Sequence, residues 1–212
     1  VMLSGERGAG KKFVARAIHQ RSRRRSAAFV IARCEAFAAS LTEPGTGSET
    51  AFRFARGLST QETHGTLLID EIQESSAALQ RQLLQFIDNE HTIGSDLRIM
   101  TTTSIDLFER VRSNQFRSDL FYHLNVVHLM IPALRDRPED IPILFDHYLS
   151  LYTRAHTPRL SPTACQWLVA YPWPGNVTEL EAAAEAMAAQ DLARPIEVGD
   201  LPSHVGPFNW WA

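Results

Sequence analysis

Apolar positions follow two rhythms along this chain: short runs of branched side chains, and stretches repeating every three to four residues. "VMLSGERGAGKKFVARAIHQ" predicts a strand end, a loop and a helix, with Phe13, Val14, Ala17 and Ile18 at helical spacing. "AAFVIARC" predicts a buried strand, and "GTLLIDEI" a second that closes on two carboxylates. Between them, residues 38–64 are polar and rich in Gly, Ser and Thr, with one amphipathic patch, "ETAFRFARG". "SSAALQRQLLQFIDN" starts on Ser and carries Leu79, Leu83, Leu84 and Ile87 on one face, which predicts a helix. "DLRIMTTTS" and "VVHLMIP" add two further strands. Strands alternating with helices predict an α/β domain, a parallel sheet sandwiched by helices. From "RPEDIPILFDHYLSLYTRA" onward the strand signals stop, and helices follow, broken by "YPWPGN" and "ARPIEVGDLP". The expected organisation is an α/β domain over residues 1–138, a small α-helical domain over 139–206, and a linker or tail over 207–212. No internal repeat or low-complexity segment interrupts it.

Composition changes this picture little. With 212 residues, 44% hydrophobic and 21% charged, the chain reads as an ordinary soluble protein. A net charge of −3 argues against nonspecific nucleic-acid binding by the whole chain. The local exception is "RSRRR", with Arg21, Arg23, Arg24 and Arg25, readable as a solvated loop after a helix or as an anion or subunit contact. Cys34 and Cys165 stand far apart without metal spacing, which suits two core thiols in a reduced, cytoplasmic compartment. No signal peptide or membrane-length apolar run is visible, so no membrane partner is expected. "NVT" at Asn176 is then a chance glycosylation pattern. Because only Val1–Ser4 precede the Gly-rich loop, we expect an excised fragment whose first strand is cut short.

Candidate chemistry begins in "GERGAGKK". Gly5, Gly10 and Lys11 have the G-x-x-x-x-G-K spacing of a phosphate-binding loop, which makes Gly5, Glu6, Arg7, Gly8, Ala9, Gly10, Lys11 and Lys12 the candidate nucleotide-binding segment. Successive backbone N–H groups in such a turn form an anion cradle, strengthened by the dipole of the following helix. Lys11 would reach the β- and γ-phosphates. The next position commonly holds a Mg²⁺-binding hydroxyl, and here it is Lys12. Asp70 and Glu71 end an apolar strand, where ligands of parallel sheets bind. Asp70 would hold Mg²⁺ and Glu71 would polarise an attacking water, although an acidic pair at a strand end can also simply cap a helix. The eight histidines have no metal-ligand spacing.

Together "GERGAGKKFVARAIH", "FVIARC", "GTLLIDEI", "QFRSDLFYHLNVVHLMIPALRDRPEDI" and "WPGNVTELE" resemble the AAA+ central domain of bacterial enhancer-binding transcription activators, which remodel sigma-54 RNA polymerase. The segments run in family order and cover nearly all of residues 1–205. The resemblance implies an AAA+ P-loop NTPase fold with a helical lid, ATP or ADP with Mg²⁺ as cofactors, a homo-oligomer between a dimer and a hexamer-type ring, and RNA polymerase as partner. It also implies DNA binding through a helix-turn-helix that this chain does not contain. In this family an acidic residue usually follows the loop lysine, so Lys12 reverses the charge there. Ser104 stands where the family has an Asn that senses the γ-phosphate. Arg117 matches the first of two arginines that reach a neighbouring subunit's nucleotide, and His123 replaces the second. Thr178 replaces the lid arginine of W-P-G-N-V-R-E-L.

The family's G-A-F-T-G-A loop, which touches the sigma factor, has no counterpart in "SLTEPGTGSETAFRFARGLSTQETHG", and the second pore loop shortens to "HTIGSD". These departures imply a nucleotide-binding regulatory domain that controls self-assembly, with weak or absent hydrolysis, acting on RNA polymerase of a form other than sigma-54. Two alternatives stay open. One is a non-enzymatic receptor for a cyclic dinucleotide, using Arg7, Arg16 and the 21–25 cluster. The other is a competent sigma-54 activator in which Phe52 and Phe54 replace the missing loop.

Overall fold

The computed structural model describes residues 1–34, 64–93, 96–153 and 157–206. The "ETAFRFARG" patch, with Phe52 and Phe54, and the terminal "NWW" lie outside the described residues, as do Gly94 and Ser95 of "HTIGSD".

By contact the chain divides into two units, Val1–Gly5 with Lys11–Ile131, and Glu6–Gly10 with the described residues from Pro132 onward. The first unit is built on a parallel five-stranded sheet of β1 (Met2–Ser4), β2 (Ala28–Arg33), β3 (His64–Asp70), β4 (Asp96–Thr103) and β5 (His128–Met130), in the order β2-β3-β4-β1-β5. Its helices are α1 (Lys11–Gln20), α2 (Ala77–Ile93), α3 (Leu107–Arg112) and α4 (Ser118–Leu124).

Side-chain alternation along β3 shows how the sheet is covered on both faces. Leu67 and Ile69 bury into a cluster with Leu79, Leu83 and Phe86 of α2, Leu107 of α3 and Leu120 of α4. Thr66, on the opposite face, bonds from Oγ1 to Nδ1 of the buried His19 on α1 at 2.9 Å. The second ring nitrogen, Nε2, donates to the Ala27 carbonyl at 3.1 Å, which ties the end of α1 to the start of β2. The register that pairs Ile69 with Thr101 sets the end of β3 beside Thr102. The α/β fold with a parallel sheet is therefore as the sequence implies. The short helices α3 and α4 are additions, too brief at six and seven residues to carry a readable period.

The second unit contains α5 (Asp140–Tyr152), α6 (Pro162–Ala170) and α7 (Asn176–Ala188). Ser161 caps α6 by accepting from the Ala164 N–H at 3.2 Å, with Pro162 in the first turn where its missing N–H costs nothing. Phe145, Leu149, Leu168, Trp173, Leu180 and Met187 are fully buried in its core. Trp173 donates its indole N–H to the Leu168 carbonyl at 2.8 Å. By contact the chain passes into this unit at Pro132, and Leu134 is buried in the helical core. No described helix is long and apolar enough to cross a membrane.

Truncating Phe145 to Ala would leave a ring-sized void in the second core, at a cost of about 3–5 kcal/mol. Urea unfolding followed by tryptophan fluorescence, with Trp167 and Trp173 in that core as reporters, measures it.

Candidate functional site

In the first unit, two lysines and two carboxylates form a closed set of charges at the carboxyl ends of the strands. Lys11 begins α1 and is 5% exposed. Its Nζ donates to the Gly5 carbonyl at 2.8 Å and lies 3.2 Å from Glu71 Oε1. Lys12 Nζ lies 2.7 Å from Asp70 Oδ2. The other Asp70 oxygen, Oδ1, accepts from Thr102 Oγ1 at 2.8 Å, and Thr102 Oγ1 in turn accepts from the Glu71 N–H at 2.9 Å. Asp70 is 5% exposed, so its charge needs these partners.

Glu71 sits in the left-handed region at φ 55°, ψ 57°, a conformation that costs a non-glycine residue about 1–2 kcal/mol. Its Oε2 accepts from Ser104 Oγ at 2.6 Å and from Gln73 Nε2, and Gln73 Nε2 also donates to Ser104 Oγ at 2.9 Å. Burial pushes the Glu71 carboxyl up, but the hydrogen bonds from Ser104 and Gln73, with the Lys11 ammonium, outweigh it and hold the group below its ordinary value. The two carboxylates thus cap no long helix; they pair with the two lysines.

The middle of the Gly-rich loop is built from the second unit's residues. Asn176, fully buried at φ 54°, accepts from the Leu134 N–H at 2.8 Å and donates from Nδ2 to Glu6 Oε2 and the Arg7 carbonyl, each at 3.0 Å. Arg135 grips the Glu6 carboxylate with both terminal nitrogens, and Arg137 Nη2 donates to the Ala9 carbonyl at 2.8 Å. The Val177 N–H donates to the Gly8 carbonyl at 3.0 Å. Gly8 has φ +77°, and a Cβ there would lie 2.2 Å from the Gly175 carbonyl oxygen, so only glycine fits. The same Cβ would come 3.2 Å from Thr178 Oγ1, which puts Thr178 beside the loop. At Gly10, φ +99°, a Cβ would meet nothing within 4 Å, so the space beside it is open.

The other candidates fall as follows. Ser104 joins the Glu71 network. Arg117 is exposed and forms a bidentate pair with Asp119, Nε to Oδ1 at 3.0 Å and Nη2 to Oδ2 at 2.6 Å, at the start of α4. His123 Nε2 lies 4.0 Å from Asp88 Oδ1. Thr102, Gln73, Asn176, Arg135 and Arg137 were not singled out from the sequence. Only Asn176 carried a usable signal, as the asparagine of "WPGN".

The expectation that Asp70 holds Mg²⁺ meets a different arrangement. A divalent cation here would need oxygen ligands in near-octahedral order. Position 12 offers an ammonium instead of a hydroxyl, that ammonium already lies on Asp70 Oδ2, and Glu71 is engaged by Lys11, Ser104 and Gln73. The residues in this arrangement do not fit the metal. No group of three or more His, Cys, Asp or Glu suited to a metal occurs among the described residues.

Residues 1–130 match the family model of the sigma-54 interaction domain, and residues 135–208 match that of the AAA+ ATPase lid domain. The chain is 38% identical to the regulatory protein AtoC of Escherichia coli (strain K12), over 97% of this chain and 48% of the relative. It is 39% identical to the C4-dicarboxylate transport transcriptional regulatory protein DctD of Pseudomonas aeruginosa, over 95% and 47%. Its fold matches NtrX of Brucella abortus solved in complex with ATP, with a TM-score of 0.79 and 29% identity over 96% of this chain and 51% of that one. The chain spans about half the length of these curated relatives.

The Glu6 grip has a pH signature. Hydrogen bonds from Arg135 and then Asn176 lower the Glu6 carboxyl from 4.5 to about 2. A depressed carboxyl stabilises the fold above its unfolded value and loses that contribution as pH falls toward its folded value. Wild type is therefore expected to exceed Glu6→Gln in stability at neutral pH, with the gap closing between 4.5 and about 2, as read by chemical unfolding at stepped pH.

Proposed function

The chain belongs to the sigma-54 interaction domain family, and on that premise we propose that it is the nucleotide-binding module of a bacterial, cytoplasmic transcriptional regulator, one that binds ATP or ADP to control its own assembly and turns ATP over slowly. The observation that carries this reading is the buried Lys11 ammonium, fixed between the Gly5 carbonyl and Glu71 where α1 begins. There the first-turn N–H groups of the helix lack intrahelical acceptors and the dipole favours phosphate. Structures of the similar NtrX were solved in complex with ATP and in complex with ADP, which supports either nucleotide as ligand.

Slow turnover follows from the replaced parts. Ser104, His123 and Thr178 stand where the family resemblance calls for an Asn and two arginines. A neutral hydroxyl cannot stabilise the charge of a transferring phosphoryl group, a contribution that reaches roughly 10³-fold or more for an arginine finger. Glu71 has donors on both oxygens and a lowered carboxyl, which weakens it as a base toward water. Arg117 is exposed and available to a second copy of this chain once its pair with Asp119 opens. That makes nucleotide-tuned self-association, from dimer to ring, the natural output. The stretch from Ser40 to Gly65 carries no G-A-F-T-G-A loop. The whole regulator is therefore proposed to act on RNA polymerase without remodelling the sigma-54 form, and to bind DNA through a segment other than this one.

Isothermal titration with ATP and ADP, in buffer containing Mg²⁺, is expected to give micromolar binding for wild type. Lys11→Ala should weaken it by roughly tenfold or more, the scale of one charge-assisted hydrogen bond. Light scattering with and without nucleotide reads the assembly. Thr178→Arg should raise turnover. Wild type that takes up neither nucleotide would overturn the reading.

A further inference from the structure

Resting on that nucleotide reading, one feature of the first unit goes beyond it. Lys11 and Lys12 are adjacent cations in the first turn of α1, and that turn contains no acidic residue. Two positive charges at the positive end of a helix dipole are mutually and electrostatically unfavourable unless anions face them. Each has one. Lys11 pairs with Glu71 at 3.2 Å and Lys12 with Asp70 at 2.7 Å. The pairings are not equivalent, because Lys11 is buried whereas the Lys12 side chain is 51% exposed over an Asp70 carboxylate that is 6% exposed.

Asp70 is the carboxylate to which sequence reasoning assigned Mg²⁺. A bare buried carboxylate close to a bound triphosphate would repel it, and a divalent cation ordinarily removes that repulsion. Here the ammonium of Lys12 neutralises Asp70 without any metal, from the one sequence position where phosphate-binding loops place a metal-binding hydroxyl. Asp70 Oδ1 is bound by Thr102, so the carboxylate is oriented with Oδ2 turned to the ammonium. A Mg²⁺ ion on Oδ2 would have to displace Lys12 and then face its charge.

We propose that Lys12 supplies in cis the positive charge that a divalent cation supplies in other phosphate-binding loops, so that this domain binds nucleotide independently of Mg²⁺. The ammonium keeps its hold on Asp70 while its half-exposed stem lets it turn toward a phosphate oxygen. The affinity of the site is then set by two lysines, one buried and one adjustable. Catalysis need not share this independence, since the proposal concerns binding alone.

The test is titration of the 212-residue chain with ATP and with ADP, once in EDTA and once in excess Mg²⁺, for wild type and Lys12→Thr. Wild type is expected to bind with affinities that agree within about threefold between the two buffers. Lys12→Thr, which restores a hydroxyl and leaves Asp70 unneutralised, is expected to lose roughly tenfold or more in EDTA and regain it in Mg²⁺, the scale of a lost charge-assisted contact. Wild type that itself loses about tenfold in EDTA would overturn the proposal while leaving the nucleotide reading intact. Wild type that binds in neither buffer would overturn both. The wild-type arm decides without the variant, so a Lys12→Thr protein that fails to fold, judged by circular dichroism, does not blunt the test.

Discussion

Two buried or nearly buried charges of opposite sign, the Lys11 ammonium and the Asp70 carboxylate, govern the arrangement at the carboxyl edge of the sheet. Neither can be left alone in a low-dielectric setting without a penalty of several kcal/mol. The sequence meets that constraint by cross-pairing: each takes as partner a charged residue adjacent in sequence to the other, Glu71 for Lys11 and Lys12 for Asp70. The pairing requires α1 to begin where β3 ends. It is the sheet order that arranges this, because β4 lies between β1 and β3 and brings Thr102 to bind both Asp70 Oδ1 and the Glu71 N–H. The left-handed backbone of Glu71 persists because the contacts around it over-determine it.

The loop itself is held on a different principle. Between Gly5 and Lys11 the chain gives up carbonyls and a carboxylate to side chains of the second unit. Asn176 reads both Glu6 and Arg7, Arg135 holds the Glu6 carboxylate, and Arg137 holds the Ala9 carbonyl. This occupies the Glu6 carboxylate and the Arg7, Gly8 and Ala9 carbonyls, which would otherwise face an anion with negative polarity. The close approach of Gly8 to Gly175 fixes the loop sterically as well. An alanine at Gly8 would have to move backbone, whereas one at Gly175 would press on the Glu179 side chain.

How much of this was legible in the sequence depends on the range of the interaction. The loop, Lys11 and the Asp70–Glu71 pair could be read because each is a local spacing on a predicted strand or helix. The partners of those residues could not. Thr102 and Ser104 meet Asp70 and Glu71 only through the parallel register of β3 and β4, and Gln73 only through a left-handed turn at a non-glycine residue. Asn176 stands in the sequence only as part of "WPGN" and "NVT", and its role rests on a contact 170 residues away in the chain. The second, helical unit was visible from the helix signals that begin at "RPEDIPILFDHYLSLYTRA". Its extension back to Leu134 was not, because a single buried leucine in a short turn has no period.

The network that makes the resting state stable also bears on chemistry. A general base must have a lone pair free toward its water and a proton affinity near the working pH. Glu71 Oε2 accepts from Ser104 and Gln73, Oε1 faces Lys11, and the carboxyl is lowered, so its lone pairs serve the fold. An Asn at position 104 would offer an amide able to donate to Glu71 or turn to a phosphate oxygen. The Ser104 hydroxyl is shorter and, donating to Glu71 while accepting from Gln73, is spent locally. Lys12 has the opposite character, exposed and paired to one oxygen only. Of the four charges at this edge, then, the one free to respond to an incoming phosphate is a lysine rather than the glutamate.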